Sequence, residues 1–160
     1  MFFLVYLLML PIVRYVHGLH RDSAPSKWEG RTWRVLWVAL VLATVGDAVS
    51  YWGISLPGLV GGLLWRGGFA VETLAMLVVV VSTTVYGIVS IRMRVIPLWS
   101  SVPMTLIVPI GVVTLVTITT YVPNAVVVPL SIIWAAIGVW VLAGAEGLPT
   151  LDSELPVTRT

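Results

Sequence analysis

The chain has 160 residues, of which 59% are hydrophobic and only 10% are charged, and its mean hydropathy is +1.04. A soluble fold of this size cannot hide so much apolar surface, and the absence of cysteine excludes disulfides, iron–sulfur ligation and thiolate chemistry. The net charge of +2 gives no reason to expect nucleic acid as a partner, because basic residues in a membrane protein mainly set its orientation.

Long apolar runs fill most of the chain and predict an all-α integral membrane protein. A transmembrane helix needs about 20 apolar residues to cross a hydrocarbon core about 30 Å thick. The runs predict a single transmembrane domain over residues 1–143, a bundle of about five helices. The predicted spans cover residues 2–19, 33–54, 69–91, 102–122 and 125–143. Residues 144–160 are polar and contain proline, which predicts a disordered tail.

The first run is short for a span, contains Pro11 and carries Arg14 near its end. From such a position an arginine side chain reaches the interface while its aliphatic stem stays in lipid. His17 and His20 follow at the same end. We interpret them as interfacial histidines; the alternative is ligation of a metal or haem by two facing chains.

Small residues recur along the second run at alternating spacings of four and three, which is typical of a left-handed seam between helices. Lipid supplies no hydrophobic force between helices, so close approach is what holds them together. The fifth run carries a similar pattern, and we expect runs two, three and five to form the tight centre of the bundle. The predicted seam comprises Ala39, Ala43, Gly46, Ser50 and Gly53 and, on the fifth run, Ser131, Ala135, Gly138 and Ala145.

The segment between the second and third runs, residues 55–68, is apolar, rich in glycine and too short to span. It predicts an interfacial loop or half-helix, with a re-entrant loop as the alternative.

In the fourth run, Pro109 lies deep enough to bend the helix. Pro123 and Asn124 are the whole connection to the fifth run, so these two runs are predicted to be antiparallel neighbours. Trp134 lies deepest in the fifth run, and we predict that its side chain packs in the core of the bundle. The alternative is that it lines a small-molecule pocket.

Charge predicts the topology. If the five runs alternate, all Lys and Arg residues except Arg66 fall on one side of the membrane. By the positive-inside rule the N-terminus lies outside, and loops 17–32 and 92–101 and the tail 144–160 are cytoplasmic. The predicted location is therefore the cell membrane, with several passes through the lipid bilayer.

Asp47 is the residue that most needs an explanation. It lies inside the second run, about 10 Å below the outer interface by helical rise, where an aspartate costs roughly 2.5–3.5 kcal/mol on insertion scales. Thr44 and Tyr51 share its face, and Arg66 and Glu72 lie near the start of the third run. One hypothesis is a polar or ion site, open to the outer face, formed by these residues. The alternative is structural: Asp47 hydrogen-bonds a neighbouring helix, and Arg66 pairs with Glu72.

Signatures of catalysis are missing from the sequence. It has no Gly-x-Ser-x-Gly motif, no second Asp within a span to complete an aspartyl protease, and no His near mid-membrane to act as a base. The only lysine, Lys27, falls in a predicted loop, which excludes a retinal Schiff base. The pattern favours a non-enzymatic protein without metal or cofactor.

We therefore predict an accessory or assembly subunit of a larger membrane complex, with other membrane subunits or further copies of the chain as partners. The alternative hypothesis is a transporter, or a substrate-binding membrane subunit, in which Asp47 is the protonatable group. A lipid-modifying enzyme that uses Asp47 and Glu72 as an acid/base pair is the third hypothesis.

Overall fold

A computed structural model of the protein describes residues 2–23, 27–94, 96–118 and 127–143. This part of the chain is built from helices alone, which confirms the prediction of a helical bundle. The predicted tail and the Pro123-Asn124 connection lie outside the described residues. The helices are α1 (Phe3–Ser23), α2 (Lys27–Ser55), α3 (Gly58–Met93), α4 (Leu98–Thr105), α5 (Ile107–Ile118) and α6 (Val127–Leu142).

Three helices, α1, α2 and α3, are long and apolar enough to cross a membrane. Within the described residues, the apolar helix α6 comprises 16 residues, fewer than a full span needs. The segment predicted as the fourth span is divided between α4 and α5. Helix length and composition therefore support membrane association and three of the predicted crossings. The other two crossings and the topology stay predictions.

The division between α4 and α5 falls at Leu106, three residues before Pro109. Proline has no N–H to donate to the carbonyl four residues back, and its ring collides with that carbonyl. The carbonyl concerned belongs to Thr105, the last residue of α4. The predicted bend at Pro109 thus coincides with an interruption of one residue, across which the N–H groups of Leu106 and Ile110 still donate to the carbonyls four residues back.

The helices α2 and α3 form an antiparallel hairpin whose backbones touch. A Cβ atom added to Gly46 would lie 2.6 Å from the backbone nitrogen of Glu72, and one added to Gly68 would lie 2.6 Å from the carbonyl oxygen of Gly46. Only glycine fits at such contacts. The small residues predicted to form the seam on the second run are all buried: Ala39, Ala43, Gly46, Ser50 and Gly53.

Of the structures predicted for residues 55–68, the loop is wrong and the helical alternative agrees with the structure, because α3 begins at Gly58 and is helical from there on. Gly58 has a φ of +76°, which the tight turn after Pro57 requires. Gly61 of this segment lies against α2: a Cβ atom added to Gly53 of α2 would lie 2.9 Å from the carbonyl oxygen of Gly61. Its lack of a side chain therefore serves helix packing. The interfacial or re-entrant loop is therefore replaced by a continuation of the hairpin.

The buried side of α1 faces the hairpin and follows a regular repeat. Its core residues are separated alternately by three and four positions, the spacing of left-handed helix packing. They are Tyr6, Met9, Val13, Val16 and His20. The predicted loop 17–32 is reduced to a short connection, since α1 continues to Ser23 and α2 begins at Lys27.

The remaining helices close the bundle into a ring. α2 lies between α1 and α3, α3 also contacts α4 and α5, and α6 contacts α1, α4 and α5. Large side chains fill the inside of the ring, and several are completely inaccessible to solvent: Trp134, Tyr86, Met104, Ile107, Leu130 and Ile137. Trp134 is thus part of the packed core.

The seam predicted on the fifth run needs two corrections, and its Ala145 lies outside the described residues. First, α6 packs on α1, α4 and α5, so the second, third and fifth runs do not form the predicted tight centre. Second, the small residues are not all on the packed side of α6. Gly138 is buried against the side chain of Ile12, but Ala135 is exposed. The packed face of α6 follows larger residues at helical spacing, namely Val127, Leu130, Trp134, Ile137 and Trp140. Ala135 lies one position after Trp134, about 100° around the helix, and therefore points away from the ring.

Candidate functional site: two buried polar clusters

The carboxylate of Asp47 binds the start of α1. Its Oδ2 accepts hydrogen bonds from the backbone N–H groups of Phe2, at 2.6 Å, and Phe3, at 2.5 Å. The first N–H groups of a helix have no partner within the helix, and its N-terminus favours a negative charge. Asp47, 7% exposed, therefore caps a helix other than its own.

Two further side chains lie in the same layer of the bundle. The hydroxyl of Tyr6 donates a hydrogen bond of 3.1 Å to Oε1 of Glu72, and both residues are buried. Glu72 also interacts electrostatically with Asp47. We call Tyr6, Asp47 and Glu72 the Asp47 cluster; it joins one residue from each of the three long helices.

The other residues predicted at this site lie apart from it. Thr44 donates its hydroxyl to the carbonyl of Leu40 in its own helix, and Tyr51 is 46% exposed. Arg66 is exposed and forms no ion pair among the described residues. The predicted pairing of Arg66 with Glu72 is therefore wrong: the two are six residues apart on one helix, about 240° around its axis, and face different sides.

A second cluster lies at the opposite end of the three long helices, around Glu29. Oε1 of Glu29 is 2.7 Å from Nδ1 of His17 and accepts a hydrogen bond of 3.1 Å from the hydroxyl of Tyr86. The ring of His17 stacks on Trp33, with centroids 4.1 Å apart. Glu29 is 2% exposed, so its carboxylate is satisfied from within the protein.

His20 extends this cluster towards α3. Its Nδ1 lies 2.8 Å from the carbonyl oxygen of Val16, which can only accept, so Nδ1 carries the proton. Its Nε2 then accepts from the hydroxyl of Ser90 at 3.0 Å, and the hydroxyl of Tyr86 is 3.4 Å from Nδ1. A continuous chain of polar contacts results; its members, the Glu29 cluster, are His17, His20, Glu29, Tyr86 and Ser90.

The Glu29 cluster was not predicted from the sequence. Glu29 falls in the predicted loop 17–32, and the two histidines were interpreted as interfacial, whereas His20 is completely buried. The signal was present in the spacing: Tyr6 and His20 are two heptads apart on α1, and Glu72 and Tyr86 are two heptads apart on α3. Polar residues in heptad register with buried positions belong to the packed face.

The two clusters are separated by a mainly apolar stretch. By helical rise, Tyr6 and His20 are about 21 Å apart along α1. Two polar residues of α3, Ser82 and Thr83, are buried between the clusters. The other residues of this stretch are largely aliphatic, and three of them are completely buried: Val13, Leu40 and Val79.

The chemistry available in the clusters is hydrogen bonding between helices. Each carboxylate has donors of its own chain as partners. The described residues include no group of three His, Cys, Asp or Glu side chains placed to hold a metal ion. Neither family models, curated proteins nor solved structures give a match to this chain.

Proposed function

We propose that the chain is a non-enzymatic protein of the cell membrane that crosses the bilayer several times and works as an accessory or assembly subunit of a larger complex. The observation that carries the proposal is the bonding of Asp47. A carboxylate that accepts two backbone N–H groups of another helix is used to hold that helix. The Glu29 cluster is likewise bonded within the chain. Both clusters thus serve assembly of the bundle.

The outer side of α6 supports the proposal of a partner. Ile132 and Val139 are 64% and 66% exposed and flank the exposed Ala135 on the same side of the helix. A small residue between two large ones gives a neighbouring helix room to approach closely. The helix contact predicted at Ala135 is then made with another protein chain.

The test is purification of the tagged full-length chain in a mild detergent, followed by native electrophoresis and protein identification. We expect the chain to migrate with another membrane protein or with further copies of itself. Ala135→Leu should reduce this association, whereas Ala70→Leu, an exposed alanine on α3, should leave it unchanged. A stable lone monomer from native membranes contradicts the proposal.

A second candidate function is transport with Asp47 as the protonatable group. It is favoured by the burial of two interacting carboxylates, Asp47 and Glu72, which are 7% and 2% exposed. The test uses the purified chain in liposomes with a pH-sensitive dye and imposed sodium or potassium gradients. Transport predicts a cation-dependent proton flux that Asp47→Asn abolishes in a folded protein. An accessory subunit gives no such flux in either form.

A further inference from the structure

The outside of the α2–α3 hairpin carries an apolar groove of about 590 Å³, which is within the size range of ligand sites. Ala39 and Ala75 form its floor, because small residues on both helices leave a depression between them. Exposed aliphatic side chains form the walls: Val38, Leu42, Leu74 and Val78. A smaller groove of about 160 Å³ shares Val71 with it and extends it towards the turn between the helices.

One end of this groove is basic. Arg34 lines the groove, and Lys27 and Arg31 precede it at helical spacing on the same side of α2. All three are exposed, and none has a carboxylate within ion-pair distance in the described part of the chain. Glu29, the nearest acid in sequence, is buried on the other side of α2 in the Glu29 cluster. These three cations are thus available to an anion from outside the protein.

The dimensions fit one leaflet of a bilayer. From Arg34 to Leu42 the groove extends about 12 Å by helical rise, against about 15 Å for half of the hydrocarbon core. The exposed Trp28 lies at the basic end, with the guanidinium of Arg31 5.9 Å from its ring centroid. Tryptophan and arginine together are typical of the level of the lipid headgroups.

We propose that this groove binds one anionic phospholipid, with the phosphate at Arg31 and Arg34 and an acyl chain between α2 and α3. The groove is basic at one end and apolar along the rest of its length, which matches an anionic headgroup followed by an acyl chain. Clusters of basic residues at the cytoplasmic end of transmembrane helices recognise anionic headgroups in this way. The positive-inside rule assigns this end of the bundle to the cytoplasmic leaflet.

The experiment uses the full-length chain in a mild detergent and native mass spectrometry. Phosphatidylglycerol and phosphatidylcholine with identical acyl chains are titrated separately. We expect one phosphatidylglycerol to bind at least tenfold more tightly than phosphatidylcholine. Arg31→Gln combined with Arg34→Gln should weaken phosphatidylglycerol binding about tenfold or more, whereas Arg66→Gln, an exposed arginine at the far end of α3, should not change it.

Two further measurements test the groove itself. Leu74→Trp fills the groove and should reduce lipid binding, while Leu77→Trp, similarly exposed but outside the groove, should leave lipid binding unchanged. Glycerol phosphate, which offers the headgroup without acyl chains, should bind much more weakly than the lipid. Equal binding of the two lipids, full binding by the arginine variants, or equally tight binding of glycerol phosphate would each overturn the proposal. So would crosslinking of this face to a partner helix that excludes the lipid.

Discussion

The two ends of the three-helix unit α1–α3 hold their helices together in different ways. At the Asp47 end, the backbones of α2 and α3 meet through glycines, and a carboxylate binds the backbone of α1. At the Glu29 end, long side chains from all three helices bond to one another, and one of them stacks on Trp33. The helices are thus held together by close backbone contact at the Asp47 end and by side-chain hydrogen bonds at the Glu29 end.

This difference separates two kinds of sensitivity. A contact between backbones leaves no space for an added methyl group, so it responds to side-chain volume. A network of side chains responds to chemistry, and interhelical hydrogen bonds in membranes are worth only about 0.6 kcal/mol on average and about 1.7 at most. Substitutions that change volume at the glycines should therefore have larger effects than those that remove a polar atom.

The largest effect is expected for Gly68→Ala. The new Cβ atom would lie 2.6 Å from the carbonyl oxygen of Gly46, so α2 and α3 must separate. We expect a loss of about 3 kcal/mol, the upper range of overpacking, measured as the free energy of unfolding by SDS in mixed micelles. Gly67→Ala is the control, because nothing lies within 4 Å of its Cβ position. Similar stability of the two variants would show that the backbones are not in contact.

The next effect is expected at the other end for Glu29→Leu. It removes the acceptor shared by His17 and Tyr86, so the buried hydroxyl of Tyr86 loses its hydrogen bond to Glu29 and His17 loses its contact with the carboxylate. We expect a loss of about 2 kcal/mol in the same unfolding measurement. Glu29→Gln keeps an acceptor oxygen and should lose less than half of that. If the leucine variant is as stable as the wild type, the network does not hold the helices together.

A smaller and more local effect is expected for Asp47→Ala. It leaves the N–H groups of Phe2 and Phe3 without their acceptor, which costs about 1 kcal/mol for a helix cap. Amide hydrogen exchange should rise in the first turn of α1 and stay unchanged in the middle of α3. Asp47→Asn retains an acceptor oxygen and should show an intermediate rate. Uniform exchange across the three proteins would exclude capping by Asp47.

The smallest effects are expected for removal of one hydroxyl group. Tyr6→Phe breaks a single hydrogen bond to Glu72 and should cost about 0.6 kcal/mol. Tyr86→Phe should cost at least as much, because the completely buried hydroxyl group donates to Glu29 and also lies 3.4 Å from Nδ1 of His20. Both losses are measured as free energies of unfolding by SDS. If Tyr6→Phe were the more destabilising variant, the hydrogen bonds of the two hydroxyl groups would not explain their contributions to stability.

Much of the helical unit was predictable from the sequence. Apolar length indicates α1, α2 and α3, and the small residues of the second run lie where α2 meets α3. The seam was recognisable because close approach in lipid requires small side chains at regular spacing. Ala135 shows the limit of that argument: the same residue type also occurs on an outward side, and spacing alone does not say which side is packed.

The site was less predictable, for two physical reasons. Helix geometry decides which polar groups meet, and the angle between Arg66 and Glu72 keeps them apart although they are close in sequence. The Asp47 interaction involves backbone N–H groups of another helix, which no side-chain pattern reveals. Glycine is also ambiguous: Gly61 and Gly68 suggest a loop by their conformational freedom but serve here because they lack a side chain.

The placement of the two clusters has a consequence for how α1 can sit in the bundle. Tyr6 and His20 meet Glu72 and Tyr86, so α1 and α3 run in the same direction, and both pairs differ by 66 positions. Sliding α1 by one heptad along its axis brings Val13 opposite Glu72 in one direction and opposite Tyr86 in the other. Either shift places a polar side chain of α3 against an aliphatic side chain of α1. The apolar middle of α1 could pack in several axial positions, and the polar contacts at its two ends select one of them.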